Sequence, residues 1–582
     1  MSGTTPSPKS PQEVSERSRK YDRQLRLWGD HGQAALEEAK VCLLNATATG
    51  TEALKSLVLP GVGYFTIVDG TPCSASDLGN NFFVSAPASP SEQDNRNRGE
   101  VACALLEELN PDSSGHFVDL SPESVLSENP DFFNNFSLVI ATDLKEQSLK
   151  ELSELLWEKK IPLLVACSYG FWGHLRLQIS EHVILESHPD AEISDVRLLN
   201  QFPTLEKHLS SFTWHGLDKK QHSHVPALII VATALKVFRD THDGATPCNR
   251  SERNEIIKII NSMRWREGGS GRRDSESTDS GGEENFDEAV RFVNTWLSPH
   301  PDIPPSVQEV FDDPQCININ QSSSSFWLMA HALRQFVLAE GGGCLPVRGS
   351  LPDMTSDSKS YISLQNIYRA RAAKDTEIVA GYLRSALEKI GRSPPQGTEE
   401  GSPGRPASRG EDRWNRDFPK DESMLSRFCR NARFIRVQRG TKISDELDGQ
   451  IATNVNDLSG ELESGPTETL LSHYLLLRAA SKFRETFGAY PGAIQTPEGE
   501  LGHLKTCLAR VLSALSFSSG HPLEEHLLEL ARFGGAEIHS VAAFIGGCAA
   551  HEAIKVITKQ YVPIDNTVLY NAVNGAVGSY KF

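Results

Sequence analysis

Residues 40–69 constrain this chain more than any other segment. Residues 41–44 (Val-Cys-Leu-Leu) are a short apolar run of the kind a buried parallel strand needs. Residues 45–50 follow as a loop, 51–59 as a helix, 60–63 (Pro-Gly-Val-Gly) as a turn, and 64–68 as a second strand ending in Asp69. A strand–loop–helix–strand unit of about 30 residues, with an acid at the tip of its second strand, has the layout of a nucleotide-binding crossover. Glycines normally line such a loop, because the backbone must approach a pyrophosphate and take up dihedrals that a Cβ disfavours, at roughly 1–2 kcal/mol per misplaced side chain. Here Asn45, Thr47 and Ala48 fill the loop, and only Gly50 remains at its far end. The scaffold of a nucleotide site is kept while its phosphate cradle is filled in, which points to a fold used for something other than its own nucleotide chemistry.

At 582 residues the chain is too long for one core, and two to four domains are expected. Up to about residue 175 strands and helices alternate in the doubly wound α/β style, with helices over 100–108 and 148–158 and strands over 137–141, 161–167 and 174–180. From about Glu186 the pattern becomes helix after helix, with three- and four-residue apolar spacing over 226–239, 286–297, 326–340, 360–390 and 468–487. Two polar segments, 267–284 and 393–422, read as flexible loops. Towards the C-terminus Ser540 is placed to N-cap a helix over 541–558 dense in Ala and Gly, and 566–572 reads as a strand. The expected architecture is one α/β domain split by a large, mostly helical insertion. Its parts are a disordered leader (1–18), the first part of the α/β domain (19–180), the insertion (181–485) and a completing part (486–582).

A net charge of −18 disfavours nucleic acid or an anionic membrane as a partner, since both reward a basic surface. The apolar run at 225–235 is far short of the ~18–20 residues that cross a bilayer. Ten cysteines are scattered singly, without a CxxC pair or a Cys/His cluster, so no metal site is expected. With a polar leader in place of a secretory signal, they place the chain in a reducing compartment, cytoplasm or nucleus.

In residues 21–29 (Tyr-Asp-Arg-Gln-Leu-Arg-Leu-Trp-Gly), Tyr21, Leu25 and Trp28 would bury along one side of a helix, and Arg23 and Arg26 project away. Two readings stand: a solvated helix with an Asp22–Arg26 pair worth ~0.3–0.5 kcal/mol, or an Arg23 that reaches an anionic group on a partner, because guanidinium grips phosphate in a bidentate manner. Asp69 is either the ribose-binding acid of a nucleotide fold or a strand-end cap for the turn at Gly70, and Asp143, after the strand at 137–141, faces the same choice. Cys248 has the setting most like a thioester-forming nucleophile, but without a basic neighbour in sequence it reads as an inert thiol. His222 and His224 lack a third ligand nearby and read as polar helix-entry residues.

The run Lys20-Tyr-Asp-Arg-Gln-Leu-Arg-Leu-Trp-Gly-Asp-His-Gly32 resembles the opening of activating enzymes for ubiquitin and ubiquitin-like proteins. So do Leu57-Val-Leu-Pro-Gly-Val-Gly63 with Phe65-Thr-Ile-Val-Asp69, and Val541-Ala-Ala-Phe-Ile-Gly-Gly547. Residues 45–50, 80–83, 186–190, 345–349 and 363–368 resemble the regulatory halves of heterodimeric members, and the resemblance covers all but the leader and the two polar loops. It implies a Rossmann-like, ThiF-type adenylation fold. A competent half of such an enzyme presents a Gly-rich loop, a second acid after the strand-two Asp, an Asn-Arg-Gln triplet and a Lys to ATP. Here Asp69 matches, whereas Thr71 replaces the second acid, Gly79-Asn80-Asn81 replaces the triplet and Arg96 stands near the Lys position. Asp143 matches the acid that family members place on magnesium. Without the triplet arginine and the glycine cradle, the charge stabilisation that phosphoryl chemistry needs is missing.

The resemblance therefore implies a non-catalytic chain that acts in trans. Its partners would be a catalytic subunit carrying ATP, Mg and the thioester cysteine, a Nedd/Rub-type ubiquitin-like modifier, and a conjugating enzyme. Arg23 matches the arginine that such dimers insert into the partner's nucleotide site, supported by Asp22, Gln24 and Arg26, while the helical block would wall one side of the modifier's cleft. Two alternatives remain: a self-sufficient adenylating, thioester-forming enzyme, and a dinucleotide-dependent oxidoreductase on the same crossover.

Overall fold

The structure is a computed structural model that describes residues 16–86, 96–189, 194–265, 283–298, 303–392, 423–451, 453, 455–464, 469–517, 523 and 526–582. The leader through residue 15 and the loop segments 267–282 and 393–422 lie outside the described residues. The chain forms two compact units, residues 1–184 with 437–582, and residues 185–436.

The first unit is built on an eight-stranded sheet. Its strands are β1 (Lys40–Leu44), β2 (Tyr64–Val68), β3 (Ser114–Val118), β4 (Leu138–Ala141), β5 (Leu163–Tyr169) and β6 (Trp172–Gln178). After a separate two-stranded ladder of β7 (His182–Ile184) and β8 (Arg436–Gln438), β9 (Thr567–Asn571) and β10 (Ala576–Tyr580) complete it. The order is β10-β9-β6-β5-β4-β1-β2-β3, with β1 to β5 parallel and β6, β9 and β10 antiparallel. The strand order reverses at β1, which pairs with β2 on one side and β4 on the other. The crevice beyond the carboxyl ends of β1 and β4 is where doubly wound sheets place ligands.

Because side chains alternate across a strand, the sheet has two dry faces. Val41, Leu43, Ile67 and Ile140 pack with the helices Ala48–Val58 and His539–Thr558. Cys42, Leu44, Val68 and Val139 pack with Leu152, Leu156, Ile443 and Leu447 on the other face. The His539–Thr558 helix is long and apolar enough to cross a membrane, yet it is largely buried against the sheet and the Ala48–Val58 helix. A Cβ on Gly546 would lie 2.8 Å from Ala53 N, so the two helices meet backbone to backbone there. Gly547 has open space instead.

Two expectations are corrected. The helix at 539–558 starts two residues earlier than expected, with Ile538 at the N-cap and no side-chain cap, so Ser540 lies inside the helix. The chain returns to the α/β unit at residue 437, well before 486. The Leu470–Phe487 helix has a helical period like those of the insertion, but its Leu471, Tyr474, Leu475 and Phe483 pack with Tyr169, Trp172, Leu569 and Phe582 of the first unit. Periodicity reports a buried stripe and says nothing about which core receives it.

The second unit is helical. Ala227–Thr241 follows Pro226 and is buried nearly all round, with Leu228, Ile230, Leu235 and Phe238 inside. Arg250–Ser262, Glu284–Trp296 and the 32-residue Ser358–Lys389 supply Ile256, Phe286, Val293, Leu364 and Tyr368 to the same core.

Candidate functional site: a nucleotide position filled by its own chain

The first turn of the Ala48–Val58 helix begins three residues earlier than its sequence suggested, drawing Ala48 and Gly50 into the helix. Thr47 is its N-cap, its side chain accepting from Gly50 N at 3.3 Å. Asn45, ahead of it, sits in the left-handed region at φ 66°, which asparagine tolerates better than most side chains. Its Nδ2 donates to the carbonyls of Thr142 (2.9 Å) and Asp143 (3.1 Å), tying the loop to the end of β4. Gly50 is needed for space, since a Cβ there would lie 2.9 Å from Asn45 O.

A helix N-terminus presents unpaired amides and a partial positive charge, and in a working crossover a phosphate takes them. Here Glu537 does. Ala48 N donates to Glu537 Oε2 at 2.7 Å, Thr49 N to Oε1 at 3.3 Å, and Thr49 Oγ1 to Oε1 at 2.5 Å. Ser168 Oγ adds a contact at 3.2 Å. Crowding by protein raises the Glu537 carboxyl above its usual pKa, and the bonds from Thr49 and Ala48 work against that rise. Asn80 Nδ2 holds the backbone of the same residue through Glu537 O at 2.9 Å.

Asp69 is likewise engaged. Fully buried, it accepts from Ala46 N (2.8 Å) and Arg98 Nε (2.7 Å) on Oδ2 and from Thr71 N (2.9 Å) on Oδ1. Arg98 also reaches Asp77 at 3.3 Å; burial works against its charge, but Asp69 and Asp77 outweigh this and hold its pKa above the ordinary value. Arg96 bonds Ser85 Oγ instead, so Arg98 is the cation beside the strand-two acid. Asn81 closes the remaining gap, donating to Ala46 O and accepting from Thr51 Oγ1, each at 2.9 Å.

Asp143 faces the third anchor. Arg484 Nη1 lies 2.7 Å from its Oδ1 and Nη2 3.2 Å from Oδ2, and Tyr490 donates to Oδ1 at 2.9 Å. Burial, reinforced by Asp143, raises the Tyr490 phenol well above its ordinary pKa. Both oxygens that would face a cation are occupied by donors. Tested against ATP and magnesium, these residues do not fit: each anchor a nucleotide would use already has a partner of the ligand's own charge sign or function. A triphosphate would have to displace a carboxylate from the helix terminus and a guanidinium from each of two acids.

Arg23 lies apart from this cluster. It is exposed on the Asp22–Glu38 helix, which kinks at Gly29 (φ 69°). Tyr21 is buried and bonds Asp112 at 2.7 Å, while Arg26 pairs with Asp22 at 2.9 Å. Arg23 makes no ion pair among the described residues. In the second unit Cys248 is exposed, with its Sγ on Thr246 O at 3.2 Å. His222 bonds Glu283 at 2.7 Å and stacks on Phe286, and His224 bonds Lys220 O. No group of three potential metal ligands occurs among the described residues.

Sequence reasoning found Asn45, Thr47, Ala48, Gly50, Asp69 and Asp143, which the fold brings together at the carboxyl end of the sheet. It missed Arg98, Glu537, Arg484 and Tyr490, the residues that fill the site. Glu537 is 489 positions from Ala48, and no local pattern marks it.

Fold and site together define an adenylation-type α/β unit whose nucleotide anchors are bonded to groups of the same chain. The ThiF family matches residues 21–581, and the chain belongs to that family. It is 42% identical over 97% of its length, and 98% of the relative's, to the NEDD8-activating enzyme E1 regulatory subunit of Xenopus laevis. The proteins of the same name in Danio rerio (41%, 97% of this chain and 99% of the relative) and Drosophila melanogaster (40%, 98% of each) are similar to it along their whole length. The resemblance carried by residues 20–32, 57–69 and 541–547 agrees with these relatives.

Proposed function

We propose that this chain is the regulatory, non-catalytic subunit of a heterodimeric enzyme that activates a NEDD8-type ubiquitin-like modifier. Its catalytic partner binds ATP and magnesium and carries the thioester cysteine, and a conjugating enzyme receives the modifier. The observation that carries the reading is the Glu537 carboxylate on the amides of Ala48 and Thr49, where an ATP-binding member of the fold needs a phosphate. The full-length likeness to regulatory subunits supports it further.

Adenylation joins a carboxylate to the α-phosphorus of ATP and expels pyrophosphate. The step accumulates negative charge, which preorganised cations stabilise. In this reading Arg23 is the cation supplied from outside, reaching the triphosphate in the partner's site, and its exposed position without an ion pair among the described residues favours that role. Asp22, the neighbouring acid, pairs with Arg26 at 2.9 Å. The ten cysteines, all free thiols, suit a reducing compartment, and we place the protein in cytoplasm and nucleus.

ATP–pyrophosphate exchange tests the reading. The purified single chain should give none, and addition of the partner should restore it. Arg23→Ala should leave the heterodimer intact and slow exchange by about 100- to 1,000-fold, the range seen when one charge-stabilising donor is removed. Exchange by the isolated chain, or an unchanged rate in Arg23→Ala, would refute the corresponding part.

A further inference from the structure

Within the α/β unit a cavity of about 110 Å³ lies between β4, β5 and β6 and the helices Glu146–Glu158, Ile443–Leu447 and Leu470–Phe487. It sits on the sheet face opposite the Ala48–Val58 helix and shares Asp143 and its partner Tyr490 with the nucleotide position. Leu144, Leu149, Val165, Leu447 and Leu477 supply apolar lining. The polar side chains include Arg176, Glu446, Tyr474, Arg478 and His174, besides Asp143 and Tyr490.

The hydrogen bonds among these polar groups are unevenly shared. Glu446 spends both carboxylate oxygens, accepting from Arg176 Nε at 2.6 Å and from Tyr474 OH at 2.5 Å. Arg478 is left with neutral acceptors: Tyr474 OH at 3.1 Å, Glu446 O at 3.4 Å and Leu447 O at 3.2 Å. Only 8% exposed, it makes no ion pair among the described residues, and its Nε is buried without a hydrogen-bond partner among them. His174 Nε2, also lining the cavity, is buried in the same unpartnered state. Burial pushes this imidazole down to about 4, so at neutral pH it is uncharged and one ring nitrogen keeps a proton to donate. Glu446 and Glu146 favour the Arg478 charge from a distance, yet a buried guanidinium N–H and a buried ring nitrogen left without hydrogen-bond partners are both costly. Both border one hollow.

We propose that this cavity binds a short aliphatic monocarboxylate of about four carbons, its carboxylate on Arg478 and His174 and its alkyl body against Leu144, Leu149 and Leu477. The volume sets the size: it exceeds the ~30 Å³ share of one water and falls below the ~150 Å³ cavity that admits benzene. The apolar wall disfavours a filling of water alone, because each buried water needs two to four polar partners. A carboxylate takes charge-assisted bonds from the Arg478 Nε and from His174 in the tautomer that protonates Nε2. The proposal does not depend on the chain being a regulatory subunit.

The test is calorimetric titration and thermal melting of the full chain with isobutyrate, with the neutral isostere isobutyramide, and with sodium chloride at matched ionic strength. Isobutyrate should bind saturably with one site and raise the melting temperature, and isobutyramide should bind at least tenfold more weakly. Arg478→Met should abolish the discrimination between the two. Because Arg478 also ties Leu447 and Tyr474 together, Ser481→Phe provides the second variant. It fills the cavity from its helical wall with the charge intact, and should abolish isobutyrate binding. Equal responses to all three solutes, binding that survives Ser481→Phe, or a structure in isobutyrate with water alone in the cavity would each overturn the proposal.

Discussion

Replacing Glu537 by alanine strips the acceptor from the amides of Ala48 and Thr49, which it meets at 2.7 and 3.3 Å. The hydroxyls suffer less, because Thr49 and Ser168 keep their own contact at 2.7 Å. A hydrogen bond to a charged group contributes about 1.5–3 kcal/mol, and an anion at a helix N-terminus about 0.3–1 kcal/mol more. Two terms reduce the sum. Glu537 is only partly buried, so water can reach the vacated amides, and its raised pKa shows that the surroundings disfavour its ionised form. A net local loss of about 2–3 kcal/mol remains, equivalent to a roughly 30- to 150-fold rise in opening at a factor of ten per 1.4 kcal/mol. Hydrogen exchange read by mass spectrometry on a peptide spanning residues 46–52 measures it directly. Glu537→Gln keeps one acceptor without the charge and should lose about half as much. Unchanged exchange in Glu537→Ala would show that the carboxylate does not hold the helix terminus, and the account of the closed site would fail with it.

Asn45→Ala should destabilise the α/β unit by about 2–3 kcal/mol, through two lost bonds and left-handed strain, whereas Asn45→Gly relieves the strain and should cost about 1 kcal/mol less in urea denaturation. Gly546→Ala drives a Cβ into Ala53 N and should cost about 1–3 kcal/mol, while Gly547→Ala, facing open space in the same helix, should stabilise by up to ~1 kcal/mol, both read from thermal melts. His174, His182 and His473 are each pushed down to about 4, chiefly by burial. Between the unfolded value near 6.5 and the folded value near 4 the unfolded chain binds more protons, so stability is full above the window and is lost as pH falls through it. The limiting slope is about 4 kcal/mol per pH unit for three protons. His182→Gln should remove about a third of the pH dependence of the melting temperature, and an unaltered profile would contradict the assignment.

The crossover was legible because a run such as Val41–Leu44 is buried on both faces and its apolar signal is continuous. Edge strands are different. β3 (Ser-Gly-His-Phe-Val) has no buried residue and β10 none either, so neither carries a pattern that sequence could announce. The acids of the site were readable from their positions at strand ends, since backbone topology fixes where those ends gather. Their partners were not. Arg98 lies in the first turn of an ordinary helix, and Arg484 and Tyr490 follow the insertion; tertiary proximity gives each its role, and no local spacing encodes it. The domain boundary failed for a related reason, because the Leu470–Phe487 helix carries a stripe that either core could have received.

The pairing of β6 with β9 joins Trp172–Arg176 to Thr567–Asn571, and the His539–Thr558 helix covers the Ala48–Val58 helix. On a ribosome adding ~5–20 residues per second, the interval between making β6 and making β9 is roughly 20–80 s. Throughout it, an unpaired strand edge and the flank of Leu54 and Leu57 wait for partners not yet made. The second unit has its own core and is synthesised entirely inside that interval. A nascent chain of this design is therefore a client for protection during translation, and a premature stop before residue 567 yields an open sheet rather than a shortened protein.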